Sequence, residues 1–524
     1  MLGRSTYDET PAYPFRRPPE LDGARTRHPV VVVGAGPVGL ALACGLTAHG
    51  VPVVVIEPRD RVSFGSRAAC ISRRSLEILD SFGAADGVLR RGLPWSRGRS
   101  FWRGHHVLDF AMPVAAEQRL PPMVNLQQCF AEQELLDVLA ARPGCDIRWH
   151  SRFRDAELRE NGATLTINTP QGAYELEADW VVAADGARSL LRSLAGLTLE
   201  GTSYEGRYLI ADIKLRSNAP TERRAWFDPP SNPGSTVLMH RQPEDIWRID
   251  YQLRDDEDGE AAQAEDAVRA RIDAHLAAIG ERTDYELVLI SLYKAHCLTL
   301  PRYRARRVLF AGDAAHLVPI FGVRGLNSGI DDAGNLAWKL AAVTQGWGGD
   351  ALLDSYSDER VFATRENIRQ ARKSTLFMTP PTRGHALMRD AALSLAVRHD
   401  FARPLVNPRQ TTAITYPAEG LQTPSLDEAE PRPGATLPDL KLGDGHLLQR
   451  IGRQPALLLR EGDTVPDAAG LDVIALPDGP AAALGLRSGV ALLVRPDAHV
   501  AARLSDPGAL PDALNRSLGR PCSP

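Results

Sequence analysis

The chain has 524 residues, of which 24% are charged and 44% hydrophobic, and its formal net charge at pH 7 is −4. This composition is typical of a soluble globular protein of about three domains, and the charge gives no reason to expect nucleic acid or an acidic membrane surface as a partner. No apolar run approaches the ~20 residues that span a bilayer, and residues 1–29 lack the apolar core of a secretion signal, so we expect a cytoplasmic protein. Six scattered cysteines without zinc or redox spacing favour reduced thiols and no metal site.

The first motif is a glycine fingerprint between a predicted strand and a predicted helix. A buried strand ends at Val33, Gly34-Ala35-Gly36-Pro37-Val38-Gly39 follows at once, and the helix leads to a second strand that ends in Glu57. The glycines let the turn tighten and let a pyrophosphate approach the free N–H groups at the helix start. An acidic residue about 20 positions further on suits the ribose hydroxyls of FAD or NAD. The segment predicts a dinucleotide site formed by Gly34, Gly36, Pro37, Val38, Gly39 and Glu57.

Two later strands each end in a carboxylate at a glycine turn. Asp185 follows the predicted strand Trp180–Ala184, and Asp313 follows the predicted strand Val308–Phe310. From Gly325 the apolar residues recur at helical spacing, so a glycine-opened helix start lies close behind the second carboxylate. A strand end, a carboxylate and a helix N-terminus suit a polar cofactor with hydroxyls and partial negative charge. Capping of the helix that follows is the alternative role for Asp185, and the two other motifs count against it.

The region between these two carboxylates shows the alternation that is typical of antiparallel strands. Trp247, Ile249, Tyr251 and Leu253 are apolar or aromatic, and the residues between them are polar. One face of the predicted sheet is therefore apolar and the other polar. The pattern does not decide which of the two faces meets a ligand.

The three motifs together support a family resemblance. The glycine fingerprint, D-G-x-x-S-x-x-R at 185–192 and G-D-A-A-H-x-x-P at 312–319 occur in this order and at long spacing. In this combination the chain resembles the FAD-dependent aromatic hydroxylases, the single-component flavoprotein monooxygenases that include p-hydroxybenzoate and phenol hydroxylases. The resemblance covers roughly residues 28–400. Three motifs in register are a far more specific signal than any one of them.

The resemblance implies an α/β fold: a Rossmann-type FAD-binding domain, an inserted antiparallel-sheet substrate domain and a thioredoxin-like C-terminal domain. The C-terminal part of this resemblance is the weaker one, since it rests on short β patterns. No C-x-x-C is present there, so the last domain would be structural and would support folding or homodimer formation. The expected bounds are 28–203 and 299–410 for the FAD-binding domain, 204–298 for the substrate domain, 411–432 for a linker and 433–524 for the C-terminal domain.

The resemblance also implies contacts to FAD. Asp185 and Asp313 would lie on the cofactor, the latter at the ribityl chain. The start of the helix after Pro319 would lie under the pyrimidine end of the flavin ring. Arg67 matches the family's arginine after the second strand, and Gln128 matches its flavin-contacting glutamine. The residues expected at the flavin ring are Gly325, Leu326 and Asn327.

One departure from the family pattern concerns Arg324. The family commonly has P-P-x-x-G-Q-G-x-N at the third motif, whereas this chain has Arg324 in place of the glutamine. A guanidinium group beside the flavin, together with a helix N-terminus, would favour the anionic reduced flavin. An outward, solvated side chain is the alternative.

The activity implied is hydroxylation of a phenolic ring. In the family NAD(P)H reduces FAD, O₂ adds to the flavin, and the C4a-hydroperoxide transfers oxygen to an electron-rich ring carbon. A residue that helps to ionise the phenol would assist, and His240, Tyr251 and Tyr204 are candidates, although packing or surface positions are open for each. Two alternatives remain: a flavin-dependent halogenase, whose W-x-W-x-I-P motif is absent, and a non-catalytic FAD-binding protein in a complex.

Overall fold

The computed structural model describes residues 10–65, 68–114, 117–281, 284–319, 321–406, 410, 412–425, 427–463 and 471–521. Two residues singled out in the sequence, Arg67 and Cys522, lie outside these ranges, and the side chain of Tyr204 is also outside the description.

A mainly parallel sheet forms the core of the chain. Its central strand, Arg27–Val33, pairs in parallel with Val53–Ile56 on one side and with Gly172–Ala183 on the other. Its four valines are fully or almost fully buried, as expected for a strand covered on both faces. The spatial order is Arg304–Ala305, Val308–Phe310, Gly172–Ala183, Arg27–Val33, Val53–Ile56 and Cys145–Arg148, with Gly162–Thr169 and Arg152–Arg159 added in antiparallel fashion beside Gly172–Ala183.

The second sheet is antiparallel apart from one strand pair. Its spatial order is His316–Leu317, Glu286–Thr299, Glu200–Lys214, Ile246–Gln252, Thr236–Arg241, Arg223–Phe227, Arg97–Trp102 and His105–Ala111. The hairpin at residues 97–111 lies outside the range 204–298 expected for this sheet. It joins through a parallel pairing with Arg223–Phe227, and a pairing between segments so distant in sequence leaves no local turn signal.

A small three-stranded sheet consists, in spatial order, of Cys70–Ser72, Met123–Asn125 and Leu93–Trp95. The helices of the described chain, short ones included, are Pro37–Ala48, Arg73–Ser81, Ala85–Arg91, Gln128–Ala140, Leu190–Leu194, Glu265–Ala278, Gly325–Thr344, Ala351–Met378, Arg383–Arg398, Arg403–Val406, Asp478–Ala483 and Leu510–Ser517. The predicted fold class, an α/β FAD-binding fold with an inserted antiparallel sheet, is confirmed.

The C-terminal part contains a four-stranded sheet with its own apolar core. The strand order is Asp472–Leu476, Ala456–Arg460, Ala491–Val494 and Val500–Leu504, and only the first two are parallel. The shorter pair Lys441–Leu442 and Gly445–His446 precedes it. Its likeness to thioredoxin stays a prediction.

The segment expected to be a linker, 411–432, is packed against the core. Tyr416, Leu421 and Gln422 are buried, and the hydroxyl of Tyr416 accepts a hydrogen bond from Arg360 at 3.0 Å. A proline- and threonine-rich composition predicts an exposed connection, but these three side chains find partners on the helices at 325–378.

No helix in the described ranges is both long enough and apolar enough to cross a bilayer. Within the same ranges, no three or more His, Cys, Asp or Glu side chains are grouped so that they could bind a metal ion. The five described cysteines are free thiols.

Candidate functional site

The three sequence motifs meet at one edge of the parallel sheet. Val33 pairs with Ala183, and Ala183 pairs with Phe310. Because these three parallel strands end level with one another, the glycine fingerprint, Asp185 and Asp313 begin side by side. The carboxyl edge of a parallel sheet is where ligands bind in open α/β folds.

Two fingerprint glycines are required by packing, and the third leaves space. A Cβ atom at Gly34, where φ is +112°, would lie 2.3 Å from the carbonyl oxygen of Ala184, and one at Gly39 would lie 2.0 Å from the carbonyl oxygen of Gly34. A Cβ atom at Gly36 would meet no atom within 4 Å. Gly36 is the N-cap of helix Pro37–Ala48, so this open space lies at a helix N-terminus, which suits a phosphate.

Val38 links the fingerprint to the third motif. A Cβ atom added to Gly312 would lie 2.9 Å from the Cγ2 atom of Val38, and a Cβ atom added to Gly329 would lie 2.4 Å from the same Cγ2 atom. Both glycines are therefore needed for the close approach of the fingerprint helix to the loop at Asp313. The side chain of Val38 serves this packing, and the side chain of Asp313 is exposed at the sheet edge.

A buried charge network that the sequence analysis missed holds this loop. Asp332 accepts a hydrogen bond from the backbone N–H of Gly312 at 2.9 Å, contacts His316 Nε2 at 2.7 Å and accepts from Arg360 Nε at 2.7 Å. Burial opposes the ionisation of Asp332, but His316 and Arg360 outweigh it and hold the pKa of the carboxyl below its usual value. The sequence signal for this network was Asp332 itself, a carboxylate on the buried side of the apolar pattern of the helix Gly325–Thr344. The network fixes the backbone that presents Asp313.

Glu57 is buried at the end of its strand. Its carboxylate accepts hydrogen bonds from the N–H of Ala35 at 2.9 Å and from Arg59 Nε at 2.7 Å. It is therefore fixed beside the fingerprint turn. Gln128 donates to Glu132 Oε1 at 2.9 Å and to Ser63 Oγ at 3.2 Å, so its amide is held by its own helix and by the segment after the second strand.

Asp185 uses one carboxylate oxygen for the following helix, and its contact with a cofactor stays a prediction. Its Oδ2 atom accepts from the N–H of Leu190 at 2.9 Å and so caps the helix Leu190–Leu194. Its Oδ1 atom is buried without a hydrogen-bond partner in the described structure. Burial raises the pKa of this carboxyl. A buried, unsatisfied oxygen at a ligand-binding edge is what an absent ligand would leave behind.

The helix start at residues 325–327 presents backbone groups more than side chains. The side chain of Asn327 is buried; its Oδ1 accepts from the N–H of Ser72 at 2.8 Å and its Nδ2 donates to the carbonyl of Cys70 at 3.1 Å. It thus ties the helix to the small three-stranded sheet. The N–H groups of Gly325, Leu326 and Asn327 belong to the first turn of a 20-residue helix and lack intrahelical partners there. Pro319 is buried in the loop before them.

The structure excludes the solvated alternative for Arg324. The residue is only 3% exposed, and its guanidinium donates to Asn367 Oδ1 at 2.9 Å and to the carbonyl of Gln410 at 3.3 Å. Burial lowers the pKa of Arg324 to about 10, so the side chain remains a cation at neutral pH. A fixed positive charge therefore lies at the N-terminus of helix Gly325–Thr344.

The two faces of the second sheet have different neighbours. Trp247, Ile249 and Tyr251 pack with the helix Glu265–Ala278, and the hydroxyl of Tyr251 donates to the carbonyl of Arg271 at 3.2 Å. Tyr251 therefore faces away from the polar side of the sheet, and its proposed catalytic role is wrong. The helix Glu265–Ala278 packs on the apolar face of the sheet and removes it from solvent.

The polar face of the sheet borders a cleft. The cleft reaches from the sheet to the loop just before Gly325, and its walls include Arg99, Arg223, Ala225, Leu238, Phe321 and Met378. His240 lies on the same face as Leu238, two residues along one strand. Burial and the nearby Arg223 and Arg248 push the pKa of His240 well below its usual value, and its Nδ1 atom has no hydrogen-bond partner in the described structure. His240 is a neutral imidazole on the sheet face that borders the cleft.

Comparison with known proteins agrees with this geometry. The sequence model of the FAD binding domain family matches residues 27–371. The chain belongs to this family. Its match to the 3-(3-hydroxy-phenyl)propionate/3-hydroxycinnamic acid hydroxylase of Mycolicibacterium smegmatis has 32% identity over 69% of this chain and 63% of that enzyme. The enzyme of the same name from Burkholderia cenocepacia is 32% identical over 71% of this chain and 68% of its own length.

Solved structures extend the likeness over almost the whole chain. The flavin-dependent monooxygenase PieE, solved with FAD and substrate, is 25% identical, with a TM-score of 0.79 over 95% of this chain and all of its own. OxyS anhydrotetracycline hydroxylase from Streptomyces rimosus is 26% identical, with a TM-score of 0.73 over 95% of this chain and all of its own. The cofactor of the family is FAD, and the residues at the sheet edge fit it: open space over Gly36, an unpartnered oxygen on Asp185 and an exposed carboxylate on Asp313.

Proposed function

We propose that the protein is an NAD(P)H- and O₂-dependent FAD monooxygenase that hydroxylates a phenolic aromatic compound. The observation that carries the proposal is the cleft between the polar face of the second sheet and the loop before Gly325, because this loop follows the third FAD motif directly in the chain. The curated relatives named as hydroxylases of 3-hydroxyphenyl compounds support it.

In this proposal the residues at the sheet edge bind FAD. The N–H groups around Gly36 receive the pyrophosphate, Glu57 the ribose and Asp313 the ribityl chain, while the helix start at Gly325 receives the pyrimidine edge of the ring. FAD, when bound, supplies the reductive activation of O₂ that transfers one oxygen atom to the ring. The apolar cleft walls exclude water, and Phe321 and Gly322 line the cleft from the loop before the helix start.

The test is a screen of phenolic compounds with the FAD-loaded protein. We expect at least one phenol to stimulate NAD(P)H oxidation and to yield a product one oxygen atom heavier by mass spectrometry. A halogenated product formed only with halide would favour the halogenase, and flavin binding without any stimulated oxidation would favour a non-catalytic protein. The cytoplasmic location, the homodimer and the domain bounds 28–203, 204–298, 299–410 and 433–524 belong to the same proposal, with the hairpin at 97–111 assigned to the sheet of the second domain.

We expect Arg324→Ala to lower the reduction potential of the bound flavin by tens of millivolts. A unit charge at short range contributes about 1–4 kcal/mol, and ~1 kcal/mol corresponds to roughly 20 mV for a two-electron couple. Spectroelectrochemistry of the wild type, Arg324→Ala and Arg324→Lys measures the effect, and the lysine variant should retain much of the potential since it keeps the charge. An alanine variant with the wild-type potential would show that Arg324 serves only its hydrogen bonds to Asn367 and Gln410.

A further inference from the structure

The polar face of the second sheet carries a carboxyl group that the sequence analysis did not select. Asp250 lies directly opposite Leu238 in the antiparallel ladder, and Leu238 lies opposite Ala225 on its other side. Leu238 and Ala225 both line the cleft. Because directly paired residues of a sheet project from the same face, the side chain of Asp250 is on the cleft side. Tyr251, the next residue, projects from the opposite face.

The carboxyl group of Asp250 is incompletely satisfied. The residue is 6% exposed, and its Oδ1 atom is buried without a hydrogen-bond partner in the described structure. Such an orphaned oxygen in a native fold requires an explanation, and an absent ligand is the simplest one beside a cleft. Burial raises the pKa of Asp250 to about 6 against the pull of two nearby guanidinium groups, so the carboxylate is mostly ionised at neutral pH.

Two guanidinium groups lie near Asp250, and among the described residues only one of them is paired with a carboxylate. Arg248, on the same strand, is held by Asp212 through two hydrogen bonds of 2.8 and 2.9 Å, and Arg223 lines the cleft. The other titratable groups that face this region are His240, Tyr208 on the neighbouring strand and Cys70 from the small sheet. Two guanidinium groups so placed can stabilise a negative charge that forms on a ligand oxygen.

We propose that Asp250 accepts a hydrogen bond from the phenolic hydroxyl of the substrate and takes its proton during oxygen transfer. The inference rests on the proposed function. The O–H bond of the phenol breaks, the proton moves to Asp250 Oδ1, and the electron pair stays on the phenolic oxygen, from which it enriches the ring carbon that is attacked. Arg223 and Arg248 stabilise the phenolate. As the ring regains its aromaticity, the attacked carbon loses its own proton to water, and Asp250 Oδ1 returns the stored proton to the phenolic oxygen, which restores the carboxylate.

His240 is the rival base, but its position is unfavourable. It lies opposite Arg223 on one neighbouring strand and opposite Arg248 on the other. Protonation of its ring would place a third cation between two guanidinium groups, whereas protonation of Asp250 yields a neutral acid. Asp250 is thus the better acceptor of the substrate's proton.

The test uses the full-length, FAD-loaded enzyme and a phenol that it hydroxylates. We expect Asp250→Asn to keep its FAD content and its reduction by NAD(P)H while the rate of product formation falls 10²- to 10⁴-fold, the usual contribution of a general base. Asp250→Glu should recover part of the rate. Tyr251→Phe is the matched control, since the neighbouring residue on the opposite face should retain the wild-type rate.

The pH dependence separates a base from a merely structural residue. Asp250 must be ionised to accept the proton, so wild-type hydroxylation of an un-ionised phenol should fall below pH about 6. With a nitro-substituted phenol that is already ionised in the assay, the acid limb should vanish and the Asp250→Asn defect should shrink. This comparison also tests the proposal in the wild type alone if the asparagine variant fails to fold.

The outcomes are distinguishable. If no phenol is hydroxylated by the wild type, the proposed function and this inference both fall. If the wild type hydroxylates a phenol and Asp250→Asn does so at the same rate, only the inference falls. A variant series in which His240→Gln, and not Asp250→Asn, removes the acid limb would assign the proton to His240 and overturn the proposal.

Discussion

Replacing Glu359 by alanine is expected to lower the free energy of unfolding by about 3–5 kcal/mol, the usual cost of removing one partner from a buried ion pair. Glu359 accepts hydrogen bonds from Lys339 Nζ at 2.7 Å and from Arg495 at 2.5 and 3.0 Å. Lys339 is fully buried and Arg495 is 1% exposed. Burial lowers the pKa of Lys339 to about 8 even with Glu359 present, so without Glu359 this amine would have to lose its proton or stay as a charge with no other carboxylate at hydrogen-bond distance among the described residues.

The pH dependence of this contribution has a definite sign. Burial opposes the ionisation of Glu359, but Arg495 and Lys339 outweigh it, so the pKa of Glu359 lies far below its usual range. A depressed carboxyl pKa stabilises the fold at pH values above the unfolded pKa of about 4.3, and the contribution is lost as the pH falls towards the folded pKa. The stability difference between the wild type and Glu359→Gln should therefore be largest above pH ~5 and shrink in acid.

Denaturant unfolding of wild-type protein, Glu359→Ala and Glu359→Gln measures both effects. Glu157→Ala is the matched control, since Glu157 forms an exposed pair with Arg159 and surface pairs contribute little. Equal midpoints for Glu359→Ala and Glu157→Ala would show that the buried network does not stabilise the fold.

The same network bears on the C-terminal part of the chain. Arg495 and Asp497 follow the strand Ala491–Val494, and both are buried beside Glu359, which belongs to the helix Ala351–Met378. Removal of residues 433–524 would take away Arg495, one of the cations that compensate Glu359. We therefore expect truncated protein to be poorly soluble, which agrees with a structural role for this part of the chain.

Gly36→Ala is expected to reduce FAD affinity by at least about tenfold while the apoprotein keeps its stability. The backbone at Gly36, with φ −75° and ψ 179°, accepts any residue, and the added methyl group would enter open space at the helix N-terminus. If Gly36→Ala weakens FAD binding and leaves the stability of the apoprotein unchanged, the pyrophosphate binds at Gly36. The loss of one contact that contributes about 1.4 kcal/mol to binding would raise the Kd for FAD about tenfold.

Two variants serve as controls for Gly36→Ala. Gly39→Ala should destabilise the apoprotein itself, because its Cβ atom would lie 2.0 Å from the carbonyl oxygen of Gly34. Gly479→Ala, in open space within the C-terminal part, should change neither property. Titration of apoprotein with FAD by fluorescence, together with thermal unfolding, separates the cases. Wild-type affinity in Gly36→Ala would place the pyrophosphate elsewhere.

The sequence alone determined the elements at the cofactor edge. The glycine fingerprint, Asp185 and Asp313 each follow the buried apolar end of a strand, and such strands pair in parallel when helices separate them. Their carboxyl ends then meet, as Val33, Ala183 and Phe310 do. Local sequence sufficed here because glycine turns and strand ends are set by backbone sterics within a few residues.

Only the tertiary structure decided which side chains face the cleft. The alternation of side chains around Asp250 and Tyr251 defines two faces of the sheet. The helix Glu265–Ala278 decides which face is covered, and the alternation within the strand does not predict where that helix packs. The same holds for Arg324, whose burial depends on Asn367 in a later helix. Partners this distant in sequence meet only after the elements pack, so a carboxylate such as Asp250 can be recognised as a candidate base only once the fold has placed it beside the cleft.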